Sequence, residues 1–139
     1  LADPQAQAVC LQGWETYERL GSPEGELALA QAVLYLALAP KSNAAYAAYK
    51  AARKLARTTG SAPPPKHIMN APTKLMRDLG HGAGYAYDHD AEDAFSGQDY
   101  FPDGMDRPAL YAPVERGFER DLAKRAAWFA KLRAERQGG

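Results

Sequence analysis

Apolar residues recur at helical spacing in the first third of the chain and again at its end. Asp3-Pro4 opens the first helical stretch, because Asp accepts the free N–H groups of a first turn and Pro suits the first helical position. Leu11, Trp14 and Leu20 follow at helical spacing with Tyr17 between them, and Gly21 supplies the stop. Ser22-Pro23-Glu24 repeats the start signal, with Ser22 as the cap, and Pro40 ends the second helix. From Leu27 to Ala39 that helix is apolar all the way round, relieved only by Gln31 and the Tyr35 hydroxyl. Such a helix needs cover on every side. It is either the core around which the other helices wrap, which packing within one small domain favours, or a surface that also meets another chain. Leu27, Leu29, Val33, Leu34, Leu36 and Leu38 are therefore the candidate core or assembly residues.

Ser42 caps a third helix predicted to run to about Thr58, with Gly60 after it. One face carries Ala44, Ala45, Ala48, Ala51, Ala52 and Leu55, small enough for close helix–helix approach. Lys50, Arg53, Lys54 and Arg57 follow i, i+3, i+4, i+7 spacing and share another face, with Tyr46 one turn before Lys50. Pro63-Pro64-Pro65 is a stiff extended connector. A short helix is predicted from Asn70-Ala71-Pro72-Thr73 to Leu79, closed by Gly80. Residues 80–113 lose all periodicity and read as an irregular loop, long enough to wrap the domain surface or a neighbouring chain. The last helix is predicted over 115–136, with Phe118, Leu122, Ala126, Phe129 and Leu132 as its apolar stripe. The fold class is all-α, a compact bundle of about five helices with the long loop before the last one.

The 139 residues suit one domain able to bury a core without disulfide or metal staples. Cys10 is the only cysteine, so no internal disulfide and no cysteine metal cluster can form, and a reducing cytoplasm is the expected setting. The run from Leu27 to Pro40 is too short to span a bilayer. Net charge is zero, but the charges lie in blocks. Residues 41–77 carry eight Lys or Arg and no acid, whereas residues 85–106 carry seven acids and no Lys or Arg. The blocks either satisfy each other across the fold or leave the basic helix face free to track a phosphate backbone.

Catalytic signals are weak. No G-x-x-x-x-G-K-[ST] loop occurs, and Gly80-x-Gly82-x-Gly84 follows a helix instead of a strand, so it reads as a helix stop and irregular turn. Asp88-His89-Asp90 is a conceivable metal or acid–base cluster, but adjacent residues rarely point at one ion, and Asp side chains bonding the loop backbone is the simpler reading. No serine sits in a nucleophile elbow. No catalytic residue and no metal ligand is expected.

Several longer strings carry a family resemblance. They are Gly21-Ser-Pro-Glu-Gly25 with Leu27-Ala-Leu-Ala-Gln-Ala-Val33, Ala39-Pro-Lys-Ser-Asn43-Ala-Ala-Tyr46, Asn70-Ala-Pro-Thr-Lys-Leu-Met76, and Leu79-Gly-x-Gly82-x-Gly84-Tyr85-x-Tyr87-x-His89-Asp90. Gln98 and Tyr100-x-Pro102 complete the set. The chain resembles the C-terminal region of the replication-associated recombination protein A family, bacterial AAA+ ATPases related to clamp-loader subunits and to the Werner-helicase-interacting ATPase. The resemblance implies a clamp-loader-like collar. Residues 1–40 would end the AAA+ lid region and start the helical C-terminal domain, and residues 41–139 would form the oligomerisation domain. It implies assembly with itself as a homotetramer, ATP and Mg held upstream and no cofactor in this chain. DNA enters as a partner through the parent protein, in a cytoplasmic, nucleoid-associated setting with no membrane. Two departures stand out. Ala91-Glu-Asp-Ala94 replaces a Tyr, Pro and Gly pattern before Phe95, and Pro113-Val114 leaves the last helix without a good cap there.

Overall fold

The computed structural model describes residues 1–137. Among these the chain is all-α and without strands. Its helices are α1 (Ala6–Leu20), α2 (Glu24–Leu38), α3 (Ala44–Thr59), α4 (Lys74–Asp78) and α5 (Glu119–Gln137), with 3₁₀ turns at Lys66–Ile68, Asp88–Asp90 and Glu92–Ala94. The chain divides into two compact units. One holds Leu1–Ala48 and Tyr111–Lys124; the other holds Tyr49–Leu110 and α5 from Arg125 onward.

In the first unit α1 and α2 form an antiparallel hairpin. Asp3 anchors the entry to α1: its Oδ1 accepts from the Gln5 N–H (2.9 Å) and its Oδ2 from the Tyr35 hydroxyl (2.8 Å). The second bond holds the Tyr35 proton, so this phenol titrates above its ordinary range. Gly21, at φ 66°, ends α1. Ser22 does not cap α2, contrary to the sequence expectation; α2 has no side-chain cap, and Glu24 and Glu26 in its first turn face the positive end of the helix dipole instead.

Small residues make the seam between the two helices. Gly13 and Gly25 are buried, as is Ala32. A Cβ on Gly13 would stand 3.1 Å from the Ala28 carbonyl oxygen and 3.3 Å from the Ala32 Cβ, and one on Gly25 only 2.6 Å from the Tyr17 Cα. Backbones this close leave no room for leucine between them, so the leucines turn outward. The expectation that α2 is the core of the fold is thereby corrected. Leu27, Val33, Leu34 and Leu38 are 72%, 64%, 65% and 87% exposed, Leu36 is also exposed and Leu29 half-buried. Leu11, Trp14 and Leu20 of α1 point to solvent too.

The rest of this unit is tied together by Glu119, a fully buried carboxylate. Its Oε2 accepts from the Ser42 hydroxyl (2.9 Å) and the Val114 N–H (2.8 Å), while Oε1 lies 3.3 Å from the Leu1 backbone nitrogen. Ser42 also accepts the Ala44 N–H (3.1 Å), which is the capping role expected of it. The Val114 N–H, with the Ser42 hydroxyl, outweighs desolvation and holds the Glu119 carboxyl below its usual value. A depressed folded-state pKa adds stability above the unfolded pKa and loses it as pH falls through the folded one. Glu119→Gln is therefore expected to lower the melting temperature at neutral pH. The gap to wild type should close as pH drops below the ordinary carboxylate range, which a pH series of thermal melts checks.

The last helix begins at Glu119 and not at 115, because Gly117 (φ 52°) takes a left-handed turn that no helix continues. That turn brings the Phe118 N–H onto the Ala2 carbonyl (2.8 Å).

In the second unit the partner of α5 is the loop. Phe95 packs on Phe129 with ring centroids 5.0 Å apart, and the Arg133 and Arg136 guanidiniums lie 5.2 and 5.6 Å from the Phe95 ring centre. Arg136 also donates to the Glu92 carbonyl (2.7 Å) and Gln137 to that of Gly97 (3.1 Å). α4 is shorter than predicted, starting after Thr73, whose hydroxyl accepts the Met76 N–H (3.2 Å). Gly80, Gly82 and Gly84 all have φ between 72° and 84°, the helix stop and irregular turn read from the sequence. The Gln98 amide then spans the loop: its oxygen accepts the Ala86 N–H (3.1 Å) and its nitrogen donates to the Gly84 carbonyl (2.7 Å).

Candidate functional site

The strongest surface feature is the apolar side of α2. Leu27, Gln31, Leu34 and Leu38 are spaced 4, 3 and 4, the repeat that lines up side chains along a helix–helix seam. Leu34 and Leu38 flank a shallow trough completed by Gln31, Tyr35, Ala39, Pro40 and Asp3. Val33 and Leu29 lie round the helix from this row, so α2 is apolar on more than one flank. Burying a leucine from full exposure is worth about 1.5–3 kcal/mol, so leaving this row in water is costly. The sequence named all six α2 residues. It missed Leu11 and Trp14 as members of the exposed set, because helical spacing says that they share a stripe but not which way it faces.

On α3, Lys50, Arg53, Lys54 and Arg57 line one open groove with Ala51 and Thr58, so the predicted stripe is present as a single face. Arg53 lies 5.7 Å over the Tyr49 ring, making Tyr49 the aromatic engaged there. Ala45 and Ala51 are exposed, so the alanine face narrows to Ala44, Ala48, Ala52 and Leu55. The acidic loop makes its ion pairs elsewhere: Asp93 with Arg136 (3.6 Å) and Asp99 with Arg107 (3.4 Å). Among the described residues Arg53, Lys54 and Arg57 form no ion pair.

Asp88 serves the loop. Its Oδ1 accepts both the N–H (2.8 Å) and the hydroxyl (2.5 Å) of Ser96, and these bonds hold its carboxyl below the usual range. Among the described residues no group of three or more His, Cys, Asp or Glu is placed to hold a metal ion, and no helix is long and apolar enough to cross a membrane.

The fold and its surface thus define an all-α helical region with a row of outward leucines on α2. The model of the MgsA AAA+ ATPase C-terminal family matches residues 1–130, and the chain belongs to that family. It is 47% identical over 132 residues to replication-associated recombination protein A of Coxiella burnetii, covering 94% of this chain and 30% of that protein. It is 45% identical over 131 residues to the protein of that name in Escherichia coli K12, covering 94% and 29%. It is 38% identical over 93 residues to the ATPase WRNIP1 of Dictyostelium discoideum, covering 67% and 11%. The chain thus spans under a third of the length of these relatives, and the ATPase domain that the family name refers to is separate from it.

Proposed function

We propose that this chain is the non-catalytic assembly module of a DNA-dependent AAA+ ATPase acting in replication-fork maintenance and recombination, and that it joins copies of that protein into a homotetramer. The observation that carries the reading is the exposed leucine row of α2, backed by the small-residue seam that forces it outward. The row is self-complementary: it has no charge, and Gln31 offers both a donor and an acceptor to its own counterpart across an axis. Chemistry would stay with the ATPase domain, which would hold ATP and Mg²⁺, while assembly raises the local concentration of those domains on DNA. The setting would be the bacterial cytoplasm, at the nucleoid. Sedimentation of the chain at micromolar concentration tests this: a mass four times that of the monomer is expected, and a clean monomer rejects it.

A second reading is favoured by the unpaired cations of α3. Arg53, Lys54 and Arg57, with Lys50 beside them, would contact phosphates without reading sequence. Replacing all four by Ala is expected to weaken binding of a random-sequence duplex by at least tenfold at low salt and to flatten its salt dependence by up to about 0.9 log units per contact removed. Unchanged affinity in a fluorescence-anisotropy titration would exclude the stripe.

A further inference from the structure

The first of the strings that carry the family resemblance builds the α2 seam, but those from Asn70 onward serve neither that seam nor the α3 stripe, and the fold gathers them. Asn70 and Ala71 from one string, Gly82 and Tyr85 from the next and Tyr100 from the last line a single cleft of about 550 Å³ with His67. The cleft lies within the second unit, and its back is pinned by the Gly82 N–H on the Lys66 carbonyl (2.8 Å). The left-handed backbone of Gly82 (φ 72°) lets the loop turn there, where a Cβ would stand 3.4 Å from the Met69 carbonyl oxygen.

Its chemistry is that of a receptor. Tyr85 and Tyr100 are large aromatics, yet 53% and 45% exposed, so their rings are presented and not packed away. Neither phenol makes a hydrogen bond among the described residues, nor does the Asn70 side chain. His67 stands 6.1 Å from Tyr100, ring centre to ring centre, and its Nε2 is buried without a hydrogen-bond partner. A buried polar atom left unsatisfied is costly, and a ligand that met it would recover that cost. Two cations belong to the segments that supply the lining. Lys66 precedes His67, and the Arg77 guanidinium rests on the carbonyl of Ala71 (3.4 Å). Asp99, next to Tyr100 in the chain, pairs with Arg107 (3.4 Å).

We infer that this cleft binds an unpaired base of single-stranded DNA, stacked on Tyr85 or Tyr100 with its polar edge toward Asn70 and His67 and its phosphates toward Lys66 and Arg77. Aromatic rings take any base because every base has a π-face, while an amide and an imidazole supply donors and acceptors for a base edge. A proline-rich peptide would also suit two tyrosines, but a proline ring has no polar edge for the Asn70 amide and the His67 Nε2, and needs no cations. The site is separate from the leucine row, so it stands or falls independently of self-assembly.

The test compares three ligands on the full chain: (dT)20 carrying one central 2-aminopurine, a strand of equal length whose bases are replaced by abasic spacers, and a ten-residue polyproline peptide. The base-bearing strand is expected to bind at least tenfold tighter than the abasic one, with 2-aminopurine fluorescence quenched by stacking. Tyr85→Ala with Tyr100→Ala should erase that preference while sedimentation is unchanged, and Tyr85→Phe with Tyr100→Phe should restore it. Equal affinity for the two strands overturns the inference without any variant, so a misfolded alanine variant does not rescue it. Competition by the polyproline peptide alone, or an unaltered preference in a folded alanine variant, overturns it as well.

Discussion

Leu34→Asp with Leu38→Asp is expected to reduce the assembly to monomers. Each change puts a charge where the seam would bury a leucine. The lost burial alone is about 1.5–3 kcal/mol per leucine, hence roughly 3–6 kcal/mol for the pair, a hundredfold to ten-thousandfold weakening. Both residues are at least 65% exposed in the single chain, so their replacement removes little from the fold of the monomer. Helicity by circular dichroism should therefore stay while the sedimenting mass drops. Gln31→Leu has the opposite sign: it removes the polar residue from the row and should tighten association while loosening its register. A double-aspartate variant that sediments as the wild type does would show that α2 is covered by something other than another copy.

Gly117→Ala is expected to cause the largest loss of stability from a single methyl group. The added Cβ would collide with the carbonyl oxygen of Ala2 and lie 2.6 Å from the Pro40 Cγ, and the backbone φ of 52° is one that alanine resists. Ala2 is buried, and its carbonyl already holds the Phe118 N–H at 2.8 Å, so it cannot move aside freely. Overpacking and a strained φ together cost about 2–4 kcal/mol, which lowers the melting temperature by roughly 10 °C in a chain of this size. Gly104→Ala is the control. Gly104 also has a positive φ (79°) but nothing within 4 Å of its missing Cβ, so only the backbone strain remains. Equal losses at the two positions would show that the close approach at Gly117 does not matter.

Local chemistry made much of the helix pattern legible. Gly21, Pro40, Ser42 and Gly60 bracket α1 to α3 where the sequence placed their ends, since each sets a backbone angle or satisfies a helix end with no help from distant residues. The start of α5 was misread because Glu115 fits a helix by pattern, and only the approach of Ala2 explains why Gly117 turns left-handed there. The character of α2 was legible, while its place was left open between the core of the fold and a surface meeting another chain, and the exposed leucines speak against the core. Hydropathy demands cover without naming what supplies it. The clue lay in Gly13 and in Gly25, Ala28 and Ala32, the last three at i, i+3, i+7, which mark a seam too tight for leucine. Glu119 gave no signal, because its partners Ser42, Val114 and Leu1 are set by tertiary structure alone. The tyrosine cleft was out of reach for the same reason: residues 67–71, 82–85 and 100 meet only once the glycine turns have folded the loop back.

The way Gln98 spans the loop has a chemical consequence. A primary amide presents donors and an acceptor in one plane, and here one N–H and the oxygen serve Gly84 and Ala86 as a peptide group would. Slow hydrolysis of that amide to a carboxylate would swap the donor for a second oxygen and set it against the Gly84 carbonyl. The latch would then repel what it now grips, so the link between Gln98 and the Gly84–Ala86 segment depends on one nitrogen atom that ageing can remove.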